Sequence, residues 1–334
     1  MQNGVYNCHI KKHRGAEPHT KKEETEMKKI LSLILASVLL VCAMLTFVSC
    51  GNDGLSDDPL AEDYNNFFKE VKAPENGANG TLTVAMSPDF APMEFVDASL
   101  TGSNQYVGFD VLLANYVAKE LDMSLVIKPM SFDACMNNLQ LGQVDLAISG
   151  FSWTADRVEN FLISDYYVAG ENETEQILIT KKNSTVDWAN ITDYTGLKIG
   201  AQGGSLQQLL VNEQLVTKGA TISLYEDINA GGVTALKNGQ IDALAVAVGN
   251  GDAIVANNDD LKTSGFYFFV DELYKNNVIL VNKNDSELLD KVNAALDKAM
   301  KAGVYDSWYA ACEVYAGVET KDESGFDDEG NPNE

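Results

Sequence analysis

The feature that most constrains the fold is a short segment that occurs twice in the chain. Residues 139–145 (LQLGQVD) and residues 236–242 (LKNGQID) share the same order of apolar, glycine and acidic positions. In both copies the pattern is typical of a helix that ends at a glycine in the left-handed conformation and is followed by a buried strand. The repeated segment therefore predicts two similar halves, each with this helix-to-strand connection.

Strand-like and helix-like segments alternate through residues 80–316, the part of the chain predicted to be globular. The predicted strands are residues 81–86, 124–130, 144–149, 198–202, 221–225, 241–246 and 278–281. The predicted helices are residues 109–121, 132–141, 205–216, 228–238, 286–301 and 304–314. This alternation predicts an α/β fold in two lobes, each a sheet built from βα units with helices on its faces.

The segment at residues 27–50 has the layout of an export signal. Two lysines precede an apolar run over residues 30–47, and a small residue precedes Cys50. Residues 47–50 (FVSC) resemble the bacterial lipoprotein cleavage box, although Phe47 stands where that box prefers leucine. The resemblance implies cleavage before Cys50 and lipid attachment on it, which anchors a chain to a membrane without spanning it. A single transmembrane anchor is the alternative, and the polar, acidic sequence that follows argues against it.

The flanks of the globular part are polar and acidic. Residues 1–26 are predicted to be an over-extended start, and residues 27–49 a lipoprotein signal peptide. Residues 50–79 are predicted to form a flexible acidic tether, with a short helix at residues 64–68. Residues 317–334 are predicted to form an acidic tail. The mature protein is thus expected on the outer side of the cell membrane, held there by lipid.

Removal of residues 1–49 changes the chemistry available to the chain. His9, His13, His19 and Arg14 all lie in this segment, so the mature chain has no histidine and one arginine, Arg157. This excludes Ser-His-Asp catalysis and imidazole metal sites, and neither a metal nor a cofactor is predicted. The segment also holds seven of the 24 Lys and Arg and four of the 49 Asp and Glu, which leaves a net charge of about −28. A surface this acidic repels nucleic acid.

Two of the five cysteines remain in the mature chain besides the predicted lipid-bearing one. These are Cys135 and Cys312, since Cys8 and Cys42 are removed and Cys50 would carry the lipid. An exported pair can form a disulfide, but spacing alone does not show it, and two buried free thiols are the alternative.

Five segments resemble, in the same order, the bacterial extracellular solute-binding proteins of the polar amino-acid class. They are residues 84–95 (VAMSPDFAPMEF), 108–114 (GFDVLLA), 145–157 (DLAISGFSWTADR), 200–205 (GAQGGS) and 302–309 (AGVYDSWY). The resemblance covers about residues 80–315. It implies a protein that captures a small amino-acid-like carboxylate and delivers it to the permease of an ABC importer.

The resemblance also implies a two-lobed, periplasmic-binding-protein-like fold. Lobe 1 is expected at residues 80–168 and 276–316, and lobe 2 at residues 169–275. A hinge of two crossings is expected near residues 166–170 and 274–278. In such a fold the ligand site lies between the lobes, outside the carboxyl ends of the strands, and the lobes close on it.

Arg157 is the residue whose chemistry points most directly to a ligand. It follows Thr154, a predicted N-cap, near a helix start, where free N–H groups favour an anion. A guanidinium matches a carboxylate with two parallel hydrogen bonds. The alternative is a surface arginine that pairs with Asp156 or Glu159. The use of lysine everywhere else in the mature chain favours the ligand-binding role.

The family resemblance implies seven further ligand-binding residues. Ser152 and Ser205 would donate hydroxyl hydrogen bonds to the ligand carboxylate, one from each lobe. Gly150 would offer its carbonyl oxygen to a ligand amine, and the rings of Phe90 and Phe132 would enclose the aliphatic part. Gln202 and Ser87 complete the expected set.

The sequence departs from the family pattern at three of the matched positions. Leu112 stands where the signature helix start usually has an acid. Ala247 stands where the family places the acid that pairs with the ligand's α-ammonium, and an unpaired buried ammonium is costly. Either Asp252 or Asn250 then reaches the site, or the ligand lacks a standard α-amino group. Ser87 stands where several members that bind basic or amide side chains have an acid, which argues against lysine or arginine as ligand.

Two other classes of protein use the same scaffold. An enzyme, such as a periplasmic dehydratase that acts on a cyclic acid, needs a general acid or base in the cleft. No paired carboxylates flank Arg157 in the sequence, and histidine is absent from the mature chain. An extracellular sensor usually adds a transmembrane segment and a signalling domain. The lone arginine, the lack of evident catalytic groups and the predicted lipid anchor favour a binding protein over both alternatives.

Overall fold

The structure is a computed structural model that describes residues 55–167 and 174–318. The predicted signal peptide, the lipid-bearing Cys50, part of the first hinge crossing and most of the predicted tail lie outside the described residues. Within the described ranges, no helix combines the length and the hydropathy needed to cross a bilayer.

Most of the predicted elements are present, with ends that differ by a few residues. The strands are β1 Thr81–Met86, β2 Phe95–Val96, β3 Tyr106–Val107, β4 Ser124–Pro129, β5 Leu146–Ala147, β6 Leu162–Ile163, β7 Gln176–Lys181, β8 Lys198–Gln202, β9 Thr221–Tyr225, β10 Ala243–Ala247, β11 Leu261–Tyr267 and β12 Leu280–Val281. The α-helices are α1 Glu62–Val71, α2 Phe109–Glu120, α3 Phe132–Gln140, α4 Ala155–Asn160, α5 Leu206–Gln214, α6 Val233–Lys237, α7 Val248–Ala256, α8 Ser286–Ala302 and α9 Tyr305–Ala316.

The strands form two five-stranded sheets, which define the two lobes. The sheet of lobe 1 has the order β4-β1-β5-β12-β6, and that of lobe 2 the order β11-β7-β10-β8-β9. In lobe 1, β1 runs parallel to β4 and β5, while β12 runs antiparallel to β5 and β6. In lobe 2, β10 runs parallel to β8 and antiparallel to β7. The mixed α/β fold predicted from the sequence is confirmed.

Both faces of the lobe 1 sheet are covered by apolar side chains. Leu82, Val84 and Met86 of β1 lie in a core with α2, α8 and α9, whereas Ala85 lies in a second core with α3. Successive side chains of a strand point to opposite faces, so this division gives a helix–sheet–helix layering.

The repeated segment makes the same connection in both lobes. Gly142 and Gly239 both adopt a left-handed conformation, with φ of 68° and 69°. The carboxylate of Asp145 accepts a hydrogen bond from the backbone N–H of Thr83, at 2.7 Å. The carboxylate of Asp242 accepts the equivalent bond from the N–H of Lys198, at 2.8 Å. The predicted relation between the two halves is confirmed. In each lobe the acidic residue links the repeated segment to a strand, β1 in lobe 1 and β8 in lobe 2.

The structure corrects the predicted tether between residues 55 and 79. Helix α1 packs against lobe 1, with Ala61, Tyr64 and Val71 buried in the core that also contains α2 and α9. The short helix predicted at residues 64–68 is the middle of this longer element. The acidic composition of the segment belongs to the exposed face of an amphipathic helix, and an acidic surface is compatible with a packed apolar face.

Three elements are shorter or less regular than predicted, among them the strand predicted at residues 278–281, which is formed only by Leu280–Val281. The strand predicted at residues 144–149 pairs only over Leu146–Ala147. The helix predicted at residues 228–238 begins as a π-helical turn over Ile228–Gly232, before α6. Strands β7 and β11 and helix α7 were not predicted, because nothing in the repeated segment or the matched motifs marks them.

Cys135 and Cys312 are free and buried. Cys135 lies in the core with α3 and Cys312 in the core with α2, on opposite faces of the lobe 1 sheet. The structure therefore contains two separate thiols, which is the second of the two alternatives left open by the sequence.

Described residues at the two predicted crossings pair with each other. Tyr167, the last described residue before the first crossing, forms an antiparallel bridge with Asn277 on the second crossing. Asn277 also bridges Ser152. The limits predicted for the lobes stay a prediction, since residues 168–173 lie outside the described residues. Through these bridges Asn277 lies next to Ser152, in the segment after β5 that holds several of the predicted site residues.

Candidate ligand-binding site

A cavity lies between the two lobes, and both lobes supply its walls. Its lining from lobe 1 and the second crossing is Asp89, Phe90, Phe132, Gly150, Ser152, Arg157 and Asn277. Its lining from lobe 2 is Gln176, Gln202, Ser205, Leu206, Gln207, Ile228, Ala245, Val246, Ala247 and Asn250. Seven of the eight ligand-binding residues predicted from the sequence are thus brought together. The exception is Ser87, which is buried behind the cavity wall.

Arg157 enters the cavity from the first turns of α4, and only 3% of it is exposed. The hydroxyl of Thr154 accepts a hydrogen bond from the Arg157 N–H at 3.3 Å, as the predicted N-cap requires. The guanidinium donates to the carbonyl of Ser152 at 2.5 Å, and to the carbonyl of Gly204 in lobe 2 at 2.9 Å. Its carbon atom lies 5.5 Å from the ring centre of Phe132, within range of a cation–π interaction.

The guanidinium is a buried cation held by neutral groups. Burial lowers the pKa of Arg157 to about 10, with only a small opposing effect from Asp156. The side chain therefore stays protonated at neutral pH. Within the described residues no carboxylate pairs with it, and its acceptors are backbone carbonyls. A buried charge in this condition is strongly stabilised by an anion that enters the cavity.

The start of helix α5 faces the same region from lobe 2. Ser205 is its N-cap: the hydroxyl accepts from the Gln208 N–H at 3.1 Å and donates to the Gln202 carbonyl at 2.8 Å. Leu206 and Gln207, in the first turn, line the cavity. Because the first amides of a helix lack intrahelical acceptors, this end adds a favourable field for an anion next to Arg157.

Gly150 and Phe90 form one wall of the cavity. Gly150 has φ of 54°, and its N–H donates to the buried carboxyl of Asp110 at 2.7 Å. A Cβ atom at this position would lie 2.6 Å from Cε1 of Phe90. The glycine is therefore required both by its backbone conformation and by the aromatic ring beside it.

Asp89 is the charged cavity residue that the sequence interpretation missed. Its Oδ1 accepts from the hydroxyl of Ser87 at 2.9 Å. Its Oδ2 accepts from Nε2 of Gln202 at 2.8 Å and from the backbone N–H of Ile228 at 3.0 Å, both in lobe 2. Burial raises the pKa of this carboxyl, and the three hydrogen bonds oppose that effect. Asp89 lies inside the matched segment at residues 84–95, but the family pattern directed attention to Ser87.

The position of Ala247 is apolar in the structure, and no acid replaces it from α7. Asn250 lines the cavity, but its Nδ2 donates to the backbone carbonyl of Asp89 at 3.3 Å. Asp252, the other candidate considered from the sequence, is not among the lining residues. The carboxylate that does line the cavity is that of Asp89, on the opposite lobe.

Amide side chains make up much of the remaining polar surface. Gln176 and Gln207 lie side by side, joined by a hydrogen bond of 2.7 Å. Asn277, on the second crossing, is 6% exposed, and its Nδ2 has no hydrogen-bond partner within the described residues. A buried donor without an acceptor is costly unless a ligand supplies one. No motif in the sequence marks Asn277, because its role comes from its place between the lobes.

The sequence pattern of the bacterial extracellular solute-binding proteins, family 3, matches residues 82–311. This chain belongs to that family. An amino acid ABC transporter substrate-binding protein from Streptococcus pneumoniae, bound to L-arginine, is 32% identical with a TM-score of 0.62. The match covers 72% of this chain and 97% of that protein. The two-lobed fold and the family predicted from the sequence are both confirmed.

Two curated relatives match this chain over most of their own length. A probable histidine-binding protein of Neisseria gonorrhoeae is 27% identical over 85% of this chain and 95% of its own length. An arginine-binding extracellular protein of Bacillus subtilis is 28% identical over 81% of this chain and 92% of its own. These relatives and the solved Streptococcus pneumoniae protein are solute-binding proteins. This chain, as a member of the same family, is a binding protein rather than an enzyme.

Proposed function

We propose that this protein captures an amino acid between its lobes and delivers it to the permease of an ABC importer. The observation that carries the proposal is the buried guanidinium of Arg157, which lies in the inter-lobe cavity with neutral acceptors alone. A carboxylate bound there gains a bidentate hydrogen-bonding partner and the N-terminus of α5. The same anion relieves the cost of burying an uncompensated cation.

Six of the eight predicted residues have a defined part in this proposal. Ser152 and the first amides of α5 donate to the ligand carboxylate, together with Arg157. Phe90 and Phe132 enclose the aliphatic part of the ligand. Gln202, although it lines the cavity, is engaged with Asp89 in the closed form. Ser87 acts from behind the wall, through its hydrogen bond to Asp89.

The named relatives suggest which ligands to try first. Their names refer to histidine, arginine and glutamine, and one solved relative, an ancestral arginine-binding protein, holds glutamine. All of these ligands share an α-carboxylate. The amide groups of the cavity suit a polar side chain, and the apolar strip at Ala245, Val246 and Ala247 suits its methylene groups.

Retention at the cell surface is assigned to Cys50. Processing of the signal peptide would leave this cysteine at the new N-terminus, and lipid on it would hold the protein next to the permease. Few residues separate Cys50 from helix α1 along the sequence, and this spacing limits how far the binding lobes extend from the membrane. Both statements rest on the sequence, since Cys50 lies outside the described residues.

The proposal is tested by calorimetric titration with L-histidine, L-arginine and L-glutamine. At least one is expected to bind the wild-type protein, and Arg157→Ala is expected to weaken that binding by about 2–5 kcal/mol, or tens to thousands of times. Arg157→Lys is expected to recover little, because an ammonium cannot reproduce the planar fork. Equal affinity in wild type and Arg157→Ala, with the same thermal stability, would rule out carboxylate capture at this site.

A further inference from the structure

The cavity contains two opposite charges that do not pair with each other. Within the described residues, the charged side chains of its lining are Arg157 and Asp89. Both hydrogen-bond partners of the Arg157 guanidinium are backbone carbonyls, and every partner of the Asp89 carboxylate is a hydroxyl, an amide or a backbone N–H. Each charge is therefore buried without a counter-ion from the protein.

Asp89 also has room for another donor. A carboxylate offers about four acceptor positions, two on each oxygen. Oδ2 accepts two hydrogen bonds, from Gln202 and Ile228, whereas Oδ1 accepts one, from Ser87. One position on Oδ1 therefore remains open, on a residue that lines the cavity.

Hydrogen bonds between the lobes also concentrate on Asp89. Four donors of lobe 2 reach Asp89: Gln202 and Ile228 on its carboxylate, and the side chains of Asn229 and Asn250 on its backbone carbonyl. When the lobes close, these neutral donors replace the water around Asp89 and supply no positive charge. Closure is then least costly when the bound ligand brings a cation.

We propose that Asp89 recognises a positively charged nitrogen of the ligand. It thereby replaces the acid that the family has at the position of Ala247. The inference rests on the proposed function, since Arg157 must hold the carboxylate of the same molecule. It narrows the ligand class to molecules with both a carboxylate and a cationic nitrogen. The nitrogen is either the α-ammonium group or a cationic side chain, and the experiment separates the two.

Two pairs of small molecules make this separation. L-glutamine and glutaramate differ only in the α-ammonium group. L-arginine and L-citrulline differ in the charge of the side chain and share the α-ammonium group. All four carry the carboxylate that Arg157 is expected to hold, so Arg157→Ala is expected to weaken every one that binds.

The variant Asp89→Asn removes the charge and can keep the hydrogen bonds. Its amide oxygen can accept from Gln202 and Ile228, and its amide nitrogen can donate to the hydroxyl of Ser87. Ser87→Ala is the matched control, because it removes a hydrogen bond to Asp89 without altering the charge. Thermal unfolding of both variants without ligand checks that the fold is intact.

The wild-type protein is expected to prefer the cationic member of at least one pair by about tenfold or more. Asp89→Asn is expected to remove that preference, while Ser87→Ala changes the affinity for both members by the same factor. Loss of preference in the glutamine pair identifies the α-ammonium group, and loss in the arginine pair identifies a side-chain cation.

Three results would overturn the inference. The first is a wild-type protein that binds both members of each pair equally. The second is an Asp89→Asn variant that keeps the wild-type preference in both pairs. In either case a loss of binding in Arg157→Ala would leave the proposed carboxylate capture standing. The third is the absence of binding by all four molecules to the wild-type protein, which overturns the inference; if L-histidine fails to bind as well, the proposed function is removed with it.

Discussion

Gly204 in lobe 2 accepts a hydrogen bond from the guanidinium of Arg157 in lobe 1, at 2.9 Å. The bond joins the two lobes at the point where the ligand carboxylate is proposed to bind. Because a guanidinium has five N–H donors and two are used in these contacts, Arg157 can bind a ligand carboxylate and keep its bond to Gly204. The closed arrangement is held by this bond and by the four donors that reach Asp89.

Ligand binding is expected to compact the protein. Without ligand, the buried charges of Arg157 and Asp89 favour an open form in which water surrounds them. Small-angle scattering is expected to give a smaller radius of gyration at a saturating concentration of the amino acid that binds. Arg157→Ala is the control, and its radius is expected to stay constant. An unchanged wild-type radius would contradict closure by a hinge.

Gly150→Ala is expected to reduce both stability and ligand affinity. The positive φ costs about 1–2 kcal/mol for a residue with a Cβ atom, and the added methyl group displaces the ring of Phe90. Gly142→Ala is the matched control in the same lobe, with φ of 68° and no atom within 4 Å of the new Cβ. It is expected to lose a similar stability while calorimetry gives an unchanged affinity. Equal affinities for the two variants would place Phe90 outside the binding surface.

Asn277→Ala is expected to weaken ligand binding by about 1–3 kcal/mol, because its unpartnered Nδ2 is a donor available to the ligand. The stability of the ligand-free protein is expected to change little, since no hydrogen bond of that nitrogen is lost. Asn282→Ala gives the opposite expectation. Its Nδ2 donates to the carbonyl of Leu139 at 2.8 Å, outside the cavity. Denaturant unfolding measures the stability of both variants, and calorimetry measures their affinity for the ligand. Together they test the two opposite expectations.

Stability is expected to fall as the pH rises toward 8, in part because of Asp110. This buried carboxyl lies beside Glu94, and burial raises its pKa from 3.8 to about 7. A carboxyl with a raised pKa keeps its proton in the folded protein after the unfolded chain has lost it. Its contribution to stability is therefore largest below about pH 4 and is lost as the pH rises through about 7.

Asp110→Asn is expected to flatten that dependence. The amide can still accept from the N–H of Gly150, and it carries no titrating proton. Over this range the difference in slope is at most about 1.4 kcal/mol per pH unit, for one proton. Melting temperatures of both proteins between about pH 5 and pH 8 provide the measurement. Parallel curves would show that Asp110 titrates alike in the folded and unfolded protein.

Cys50→Ala is expected to block processing or to release the mature protein from the membrane. The reason is that a single lipid-bearing cysteine supplies the proposed attachment. Fractionation of cells that express each form, with detection of the protein by immunoblot, gives the distribution. Cys135→Ala is the control, because this buried thiol lies inside lobe 1. Normal maturation and membrane retention of Cys50→Ala would exclude the lipoprotein assignment.

Local sequence patterns determined the secondary structure wherever a pattern carried its own physical cause. The two glycine connections could be predicted from the sequence, because the left-handed conformation at the end of a helix excludes most residues other than glycine. The N-cap at Thr154 and the strand at Thr81–Met86 were predicted for similar local reasons. Helix α1 was mistaken for a tether because its composition is polar, and its apolar face becomes evident only where it meets α2 and α9.

The sequence by itself determined the α/β class, the two related lobes and the arginine that lines the cavity between them. Each of these depends on residue type and on neighbours along the chain. Tertiary structure alone decided that Asp89 shares the cavity with Arg157, that Ser87 lies behind it and that Asn277 carries an unpartnered donor. Hydrogen bonds between the lobes join residues separated by up to 161 positions, as in the bond from Asn250 to Asp89. They exist because two folded lobes meet, and a contact between separate surfaces leaves no periodic signal in the sequence of either one.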